Sequence, residues 1–250
     1  MTRDFNPFGA LGRTYGGHRH ADPRIARIMN AALGDAATVV NVGAGAGSYE
    51  PPDRSVVAVE PSSVMIAQRP ASAAPAVQAS AELLPFSDNA FDAALAILTV
   101  HHWSDRRAGL AEMRRVARDR VVVLTWDPEH PGFWLVRDYF PDLIEFDRRI
   151  FPKLAELEAA LGRIDVSVVS IPHDCVDGFL GAYWRRPAAY LDEGVRAGIS
   201  TFARIGDIPA RIERLRADLE SGQWAVRNAE LLRLEELDVG YRLVVGRRAA

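Results

Sequence analysis

Apolar positions along the first half of this chain fall into two recurring patterns. Residues 38–42, 55–59, 91–97 and 121–125 are short runs dominated by Val, Ala, Leu and Ile, the length and composition of strands buried on both faces. Between these runs the apolar residues recur at helical intervals. Asp22-Pro23-Arg24 opens one such stretch, with Ile25, Ile28, Met29 and Leu33 on one face and Gly34 to end it. Pro61, Ser62 and Ser63 open a second helix through Gln68, and Ser104 starts a third that carries Leu110, Met113 and Val116. Residues 76–79 add a short third strand. Strands alternating with helices predict an α/β fold with a parallel sheet covered on both faces.

The second half is less regular. Leu154, Leu157, Ala160 and Leu161 mark a helical face, residues 164–171 read as a strand, and residues 241–245 as the last one. The long segment between them holds Phe179, Leu180, Tyr183, Trp184, Tyr190, Leu191, Phe202 and Trp224. An insertion placed this late in an α/β sheet is often a lid over a ligand crevice, and most of its aromatics are expected to pack it onto the sheet. The expected organisation is one domain over residues 1–250, comprising an N-terminal cap segment and helix (1–37), a cofactor-binding core (38–171), a helical insertion (172–238) and a last strand and tail (239–250).

Chemistry enters where the first apolar run breaks. Asn41-Val42-Gly43-Ala44-Gly45-Ala46-Gly47 turns out of the first strand, and the second strand ends in Glu60. Glycines allow a sharp turn and let backbone approach a ligand without an intervening Cβ. A carboxylate at the end of the neighbouring strand can accept from both hydroxyls of a ribose. The spacing Gly43-x-Gly45-x-Gly47 differs from the dinucleotide pattern G-x-G-x-x-G.

Composition narrows the setting. With 48% hydrophobic and 25% charged residues among 250, the chain can build a large core. A net charge of −3 gives no broad electrostatic footprint for nucleic acid and leaves room only for a local basic patch. Cys175 is the single cysteine, which rules out an intramolecular disulfide and a cysteine-rich metal site. The start of the chain lacks the apolar core of a signal peptide, and no stretch is apolar enough to span a membrane, so a cytoplasmic enzyme is expected.

Taken together, the glycine turn, Glu60, Ala81-Glu82-Leu83-Leu84-Pro85-Phe86 with Phe91-Asp92, and Glu112-Met113-Arg114-Arg115-Val116 resemble the class I S-adenosylmethionine-dependent methyltransferases, in the small-molecule, type 11-like group. The resembling block runs from about residue 38 to 126. The resemblance implies a Rossmann-like sheet of seven strands, mostly parallel with the last antiparallel, and S-adenosyl-L-methionine across the carboxyl ends of the first strands. It implies that Gly43, Ala44 and Gly45 pass beneath the methionine part of the cofactor, with Gly47 completing the turn. Glu60 would bind the ribose, with Pro61 and Ser62 lining the adenosine side. Ala81 and Glu82 would flank the adenine, and Leu98 and Thr99 would lie near the sulfonium. Similar N-terminal segments fold over the cofactor, which makes Tyr15 and Arg19 candidates for its carboxylate.

Three positions depart from that family. Asn41 stands where an aspartate is usual, which weakens or reroutes a contact with the cofactor's ammonium. Ser80 occupies a place often held by an acidic residue facing the adenine amine. Ser48-Tyr49-Glu50-Pro51-Pro52-Asp53 leaves almost no room for a helix after the glycine turn, because consecutive prolines remove donors and clash with a continuing helix. Tyr49, Glu50 or the N-terminal segment are candidates to fill the gap.

Methyl transfer needs an acceptor aligned with the methyl group in a dry site. An oxygen or carbon acceptor can also need a base. His101 and His102, after the fourth strand, are the candidates by location and intrinsic pKa, whereas His130 and His173 show no metal-ligand spacing. The expected function is methylation of a small-molecule acceptor, with no nucleic-acid, membrane or metal partner. Two alternatives stay open: a non-catalytic S-adenosylmethionine-binding regulatory or partner protein, and a nicotinamide-dependent oxidoreductase, against which the glycine spacing argues.

Overall fold

A computed structural model describes residues 20–248. In chain order its elements are α1 (Pro23–Ala32), β1 (Thr38–Val42), β2 (Ser55–Val59), α2 (Ser63–Ile66), β3 (Ala76–Val77), β4 (Phe91–Ile97), α3 (Arg106–Val116) and β5 (Ala117–Trp126). There follow α4 (Pro141–Ile150), α5 (Leu154–Leu161), β6 (Ile164–Val168), β7 (Ile171–Pro172), α6 (Glu193–Ala197), α7 (Ile208–Glu220), α8 (Gln223–Arg227), β8 (Glu236–Leu237) and β9 (Tyr241–Arg247). These residues form two compact units. One takes in Pro23–Glu129, Ile150–Val169 and the stretch from Tyr241; the other takes in the described residues up to Asp22, His130–Arg149 and Ser170–Gly240.

The first unit is built on a seven-stranded sheet in the order β3-β2-β1-β4-β5-β9-β6. β9 runs antiparallel to both β5 and β6, and the other six strands are parallel to one another. The chain moves outward from β1 to β3, then returns to place β4 on the opposite side of β1. That reversal makes the carboxyl ends of β1 and β4 a topological switch point, where open α/β sheets bind ligands. Val40, Val42, Ala94, Ala96, Val121 and Val123 lie in a fully enclosed core with Leu110, Met113 and Val116 of α3. Each such large side chain contributes about 1.5–3 kcal/mol relative to exposure.

The Phe91-Asp92 pair has a local reason. Asp92 Oδ2 accepts from the amides of Ala37 and Thr38 at 3.0 and 2.9 Å and from Thr38 Oγ1 at 2.9 Å, and Arg118 pairs with Oδ1 at 3.0 Å. The starts of β1 and β4 are thereby locked in register. Hydrogen bonds from Thr38 hold this carboxyl below its ordinary value.

Several boundaries differ from the sequence expectation. The helix expected through Gln68 ends at Ile66, and β3 spans two residues. Asp105, not Ser104, caps α3, its Oδ1 accepting from Ala108 N at 2.9 Å. The strand expected over 164–171 divides: β6 pairs with β9, while β7 pairs with β8 in the second unit. Ile28, expected on the apolar face of α1, is 39% exposed.

The second unit has its own aromatic core. Trp134 meets Tyr139, Tyr190 and Trp224 edge-to-face, with centroids 5.9, 5.7 and 5.1 Å apart, contacts worth about 0.5–1.5 kcal/mol each beyond their buried area. Trp134 Nε1 donates to Trp184 O at 2.7 Å, and Trp184 Nε1 to Ile171 O at 2.8 Å. Tyr190, Trp224 and Phe202 of the insertion thus pack on Trp134 and Phe140, which precede it in the chain. Segment 130–149, unassigned from the sequence, joins the expected insertion in this unit.

Asp147 is buried in the same unit and receives Thr201 Oγ1 at 3.4 Å. Burial pushes its pKa up to about 7, only partly opposed by the Thr201 hydroxyl and the charge of Arg204. The folded protein therefore keeps a proton that the unfolded chain releases near pH 3.8. The stability this group contributes is full below that pH and is lost as pH rises through about 7. Denaturant unfolding between pH 4 and 8 is expected to show that decline. Asp147→Asn should flatten it and exceed the wild type in stability at pH 8; an unchanged slope would remove Asp147 as its source.

Candidate functional site

The loops at the carboxyl ends of β1 and β2 converge on Glu60. β2 delivers this residue at its carboxyl end, and Glu60 as a whole is 6% exposed. Gly45 N donates to Oε2 at 2.8 Å and Ser62 N to Oε1 at 2.9 Å. Each oxygen keeps a further lone pair for a ligand. Burial raises the Glu60 pKa above the ordinary glutamate value, opposed by the two amides and by the charge of Arg69. Ser62 adds the N-cap of α2, its Oγ accepting from Met65 N at 3.3 Å, whereas Pro61 is exposed.

The glycine turn is pinned from both sides. Gly43 N and Ala44 N donate to Val59 O at 2.8 and 3.0 Å, which continues the β1–β2 pairing into the loop. Gly43 has φ +72°, and a Cβ there would stand 2.1 Å from Thr99 Oγ1. Thr99 therefore packs directly on the turn at the carboxyl ends of β1 and β4. Leu98, just before it, is held at φ +49° with its N–H bonded to Leu124 O at 2.8 Å. A left-handed leucine costs about 1–2 kcal/mol, and it redirects the chain into the helical turn Val100–His102.

No helix follows Gly47. The segment from Ser48 to Arg54 is turn and coil, as the two prolines require, and Tyr49 is buried with φ +66°. The gap is filled by an ion pair. Arg69 Nη2 binds Glu50 Oε1 and Oε2 at 2.7 and 2.9 Å, with side chains only 5% and 8% exposed. Arg69 also donates to Gly45 O at 3.2 Å and Ala74 O at 2.8 Å. Asn41 Nδ2 reaches Glu50 Oε1 at 3.3 Å, while Asn41 Oδ1 is buried without a hydrogen-bond partner. Sequence reasoning noticed Glu50 but missed Arg69; their opposite charges on either side of the turn are the one signal that pairs them.

On the other flank, two motifs distant in sequence form one cluster. Glu112 Oε2 accepts from Leu84 N at 2.8 Å, and Arg115 donates to Phe86 O and Leu84 O at 2.7 and 3.1 Å. α3 thus clamps the Leu84-Pro85-Phe86 turn. Glu82 accepts from Ser104 N and Oγ at 2.9 and 2.8 Å and from Asp105 N at 3.2 Å. Burial would raise its pKa, but these bonds outweigh it and hold the carboxyl low. Its side chain anchors the start of α3, and Ala81 beside it is buried. Ser80 is exposed and its carbonyl accepts from Leu83 N at 3.4 Å.

His101 and His102 sit half-buried in the turn after β4. The His101 ring stacks on Phe151 at 4.0 Å and lies 3.9 Å from the His102 ring. Trp126 meets Phe151 edge-on at 5.7 Å. Tyr15 and Arg19 lie outside the described residues. Among the described residues no group of His, Cys, Asp and Glu could hold a metal ion, and no helix is long and apolar enough to cross a membrane.

Comparison with known proteins agrees with this architecture. Residues 40–125 match the family described as "Methyltransferase domain". A solved structure from Anabaena variabilis, named as a methyltransferase from an antibiotic biosynthesis pathway, is 34% identical with a TM-score of 0.84, over 91% of this chain and 98% of that one. The chain belongs to the class I S-adenosylmethionine-dependent methyltransferase family. Among curated proteins, the uncharacterized protein YafE of Escherichia coli K12 is 39% identical over 71 residues, 27% of this chain and 32% of that protein. The chloroplastic 2-methyl-6-phytyl-1,4-hydroquinone methyltransferase 2 of Oryza sativa subsp. japonica is 35% identical over 80 residues, 32% of this chain and 22% of that protein. The chain thus spans about a third or less of the length of these two curated relatives.

Proposed function

We propose that this chain is an S-adenosyl-L-methionine-dependent methyltransferase acting on a small-molecule acceptor. One observation carries the cofactor reading. The buried Glu60 carboxylate is fixed by Gly45 N and Ser62 N, at the ends of the strands, with lone pairs left for vicinal hydroxyls.

The residues present fit the cofactor. Gly43 and Gly45 offer Cβ-free backbone to its methionine part, and Gly47 closes the turn. The partnerless Asn41 Oδ1 is an acceptor for an ammonium group, standing in for the aspartate usual at this position. Pro61, Ser62, Ser80, Ala81 and the Glu82 backbone border the adenosine, and Leu98 and Thr99 face the sulfonium end. Tyr15 and Arg19 are assigned to the cofactor's carboxylate. When bound, S-adenosylmethionine supplies an electrophilic methyl group.

The protein's own task is alignment, exclusion of water and removal of the acceptor's proton. An imidazole nitrogen of His101 or His102 takes that proton, and Phe151 orients the His101 ring by stacking. The Anabaena protein's name, with 98% of its chain spanned, supports a small-molecule acceptor.

Calorimetry with S-adenosylmethionine, its demethylated product and NAD tests the reading. Binding of the first two is expected, and binding of NAD alone would overturn it. Glu60→Ala should weaken S-adenosylmethionine by about 1.5–3 kcal/mol, the value of a hydrogen bond to a charged group; unchanged affinity would take Glu60 out of the site. His101→Ala and His102→Ala separate the two imidazoles. Loss of the base is expected to lower turnover about 100-fold or more with cofactor affinity unchanged. Full turnover in both variants would end the assignment of a histidine base.

A further inference from the structure

The mobile element in a glycine loop is the orientation of its peptide planes. Around Gly45 both neighbouring planes are held, and by different groups. The N–H of Gly45 is fixed by Glu60 at 2.8 Å, and its C=O is fixed by Arg69 Nη1 at 3.2 Å. Arg69 is oriented in turn by Glu50, which also accepts from Ala74 N at 3.0 Å and Asn41 Nδ2 at 3.3 Å. Gly47 makes room for this arrangement, since a Cβ there would press to 3.2 Å from Arg69 Nη1. Tyr49, in left-handed backbone at φ +66°, turns the chain so that Glu50 faces Arg69; strain of this kind persists where surrounding structure over-determines it.

A structural role alone would be met by any packed pair. The fork geometry goes further, because Nη2 holds the carboxylate and Ala74 O while Nη1 is left for the loop carbonyl. We infer that Arg69 and Glu50 are positioning residues for the cofactor's amino-acid part: they set the Gly45 carbonyl plane, in place of the helix that the two prolines remove. The ribose side has an independent anchor in Ser62 N on Glu60 Oε1. The two halves of the ligand should therefore respond differently when Arg69 changes. This inference rests on the cofactor reading above.

The test compares two ligands on one protein. Arg69→Lys keeps a cation for Glu50 but loses the second arm of the fork. In calorimetry well below the melting temperature, S-adenosylhomocysteine should bind on the order of tenfold more weakly than to the wild type, as for one lost charge-assisted bond. Adenosine, which lacks the amino-acid part, should change by less than about threefold. Glu50→Gln, which keeps the shape but removes the charge that orients Arg69, should shift the same ratio in the same direction. Equal weakening of both ligands would reduce the pair to a structural role, and unchanged S-adenosylhomocysteine affinity in both variants would overturn the inference. Failure of the wild type to bind either ligand would instead reject the cofactor reading itself.

Discussion

Glu50→Ala is expected to lower the unfolding free energy by about 3–5 kcal/mol, the usual cost of removing one partner of a buried ion pair. The size follows from what remains. Arg69 would stay in a pocket where its side chain is 5% exposed, still donating to the carbonyls of Gly45 and Ala74 but without the carboxylate. Ala74 N and Asn41 Nδ2 would lose an acceptor as well. Arg69→Met in the same background should recover part of the loss, because it removes the uncompensated charge while keeping apolar volume. Denaturant unfolding of the two single variants and the double variant checks this. A loss below about 1 kcal/mol for Glu50→Ala would place the pair among solvent-screened surface bridges.

Gly43→Ala is expected to cost about 2–4 kcal/mol and to abolish measurable cofactor binding. Two effects add. The residue sits at φ +72°, where a side chain is strained, and its new Cβ would lie 2.1 Å from Thr99 Oγ1 and 2.8 Å from Thr99 Cγ2. Backbone on both sides resists a shift, since Gly43 N and Ala44 N are both bonded to Val59 O. Thr99→Ala should rescue part of the stability, as it deletes the two closest atoms but leaves Cβ at 2.9 Å. A double-mutant cycle by thermal unfolding measures that coupling. Strict additivity of the two substitutions would show that the loop relaxes and that Thr99 does not set the turn.

Both experiments probe contacts of different legibility in the sequence. The glycine at 43 was readable because a turn that leaves a buried strand needs backbone freedom, a local requirement. Its dependence on Thr99 was not, since the two residues are 56 positions apart in the chain and meet only because β4 inserts beside β1. Likewise Leu84-Pro85-Phe86 and Glu112-Met113-Arg114-Arg115-Val116 were visible as separate motifs. That one clamps the other depends on α3 packing back over the turn. In the second unit the core was not legible: Trp134 and its neighbours come from a segment whose periodicity is interrupted by the turn Leu135–Tyr139.

The sequence by itself determined the α/β class, the strands β1, β2 and β4, the glycine turn, Glu60 and the loss of the helix after Gly47. Those features are written in local periodicity, in glycine and proline stereochemistry and in residue type, all of which act over a few positions. Only the tertiary structure decided what stands in the place of that helix. A buried charge must find a partner wherever the fold supplies one, and Glu50 finds Arg69 across 19 residues of chain because β2 and α2 bring the two ends together.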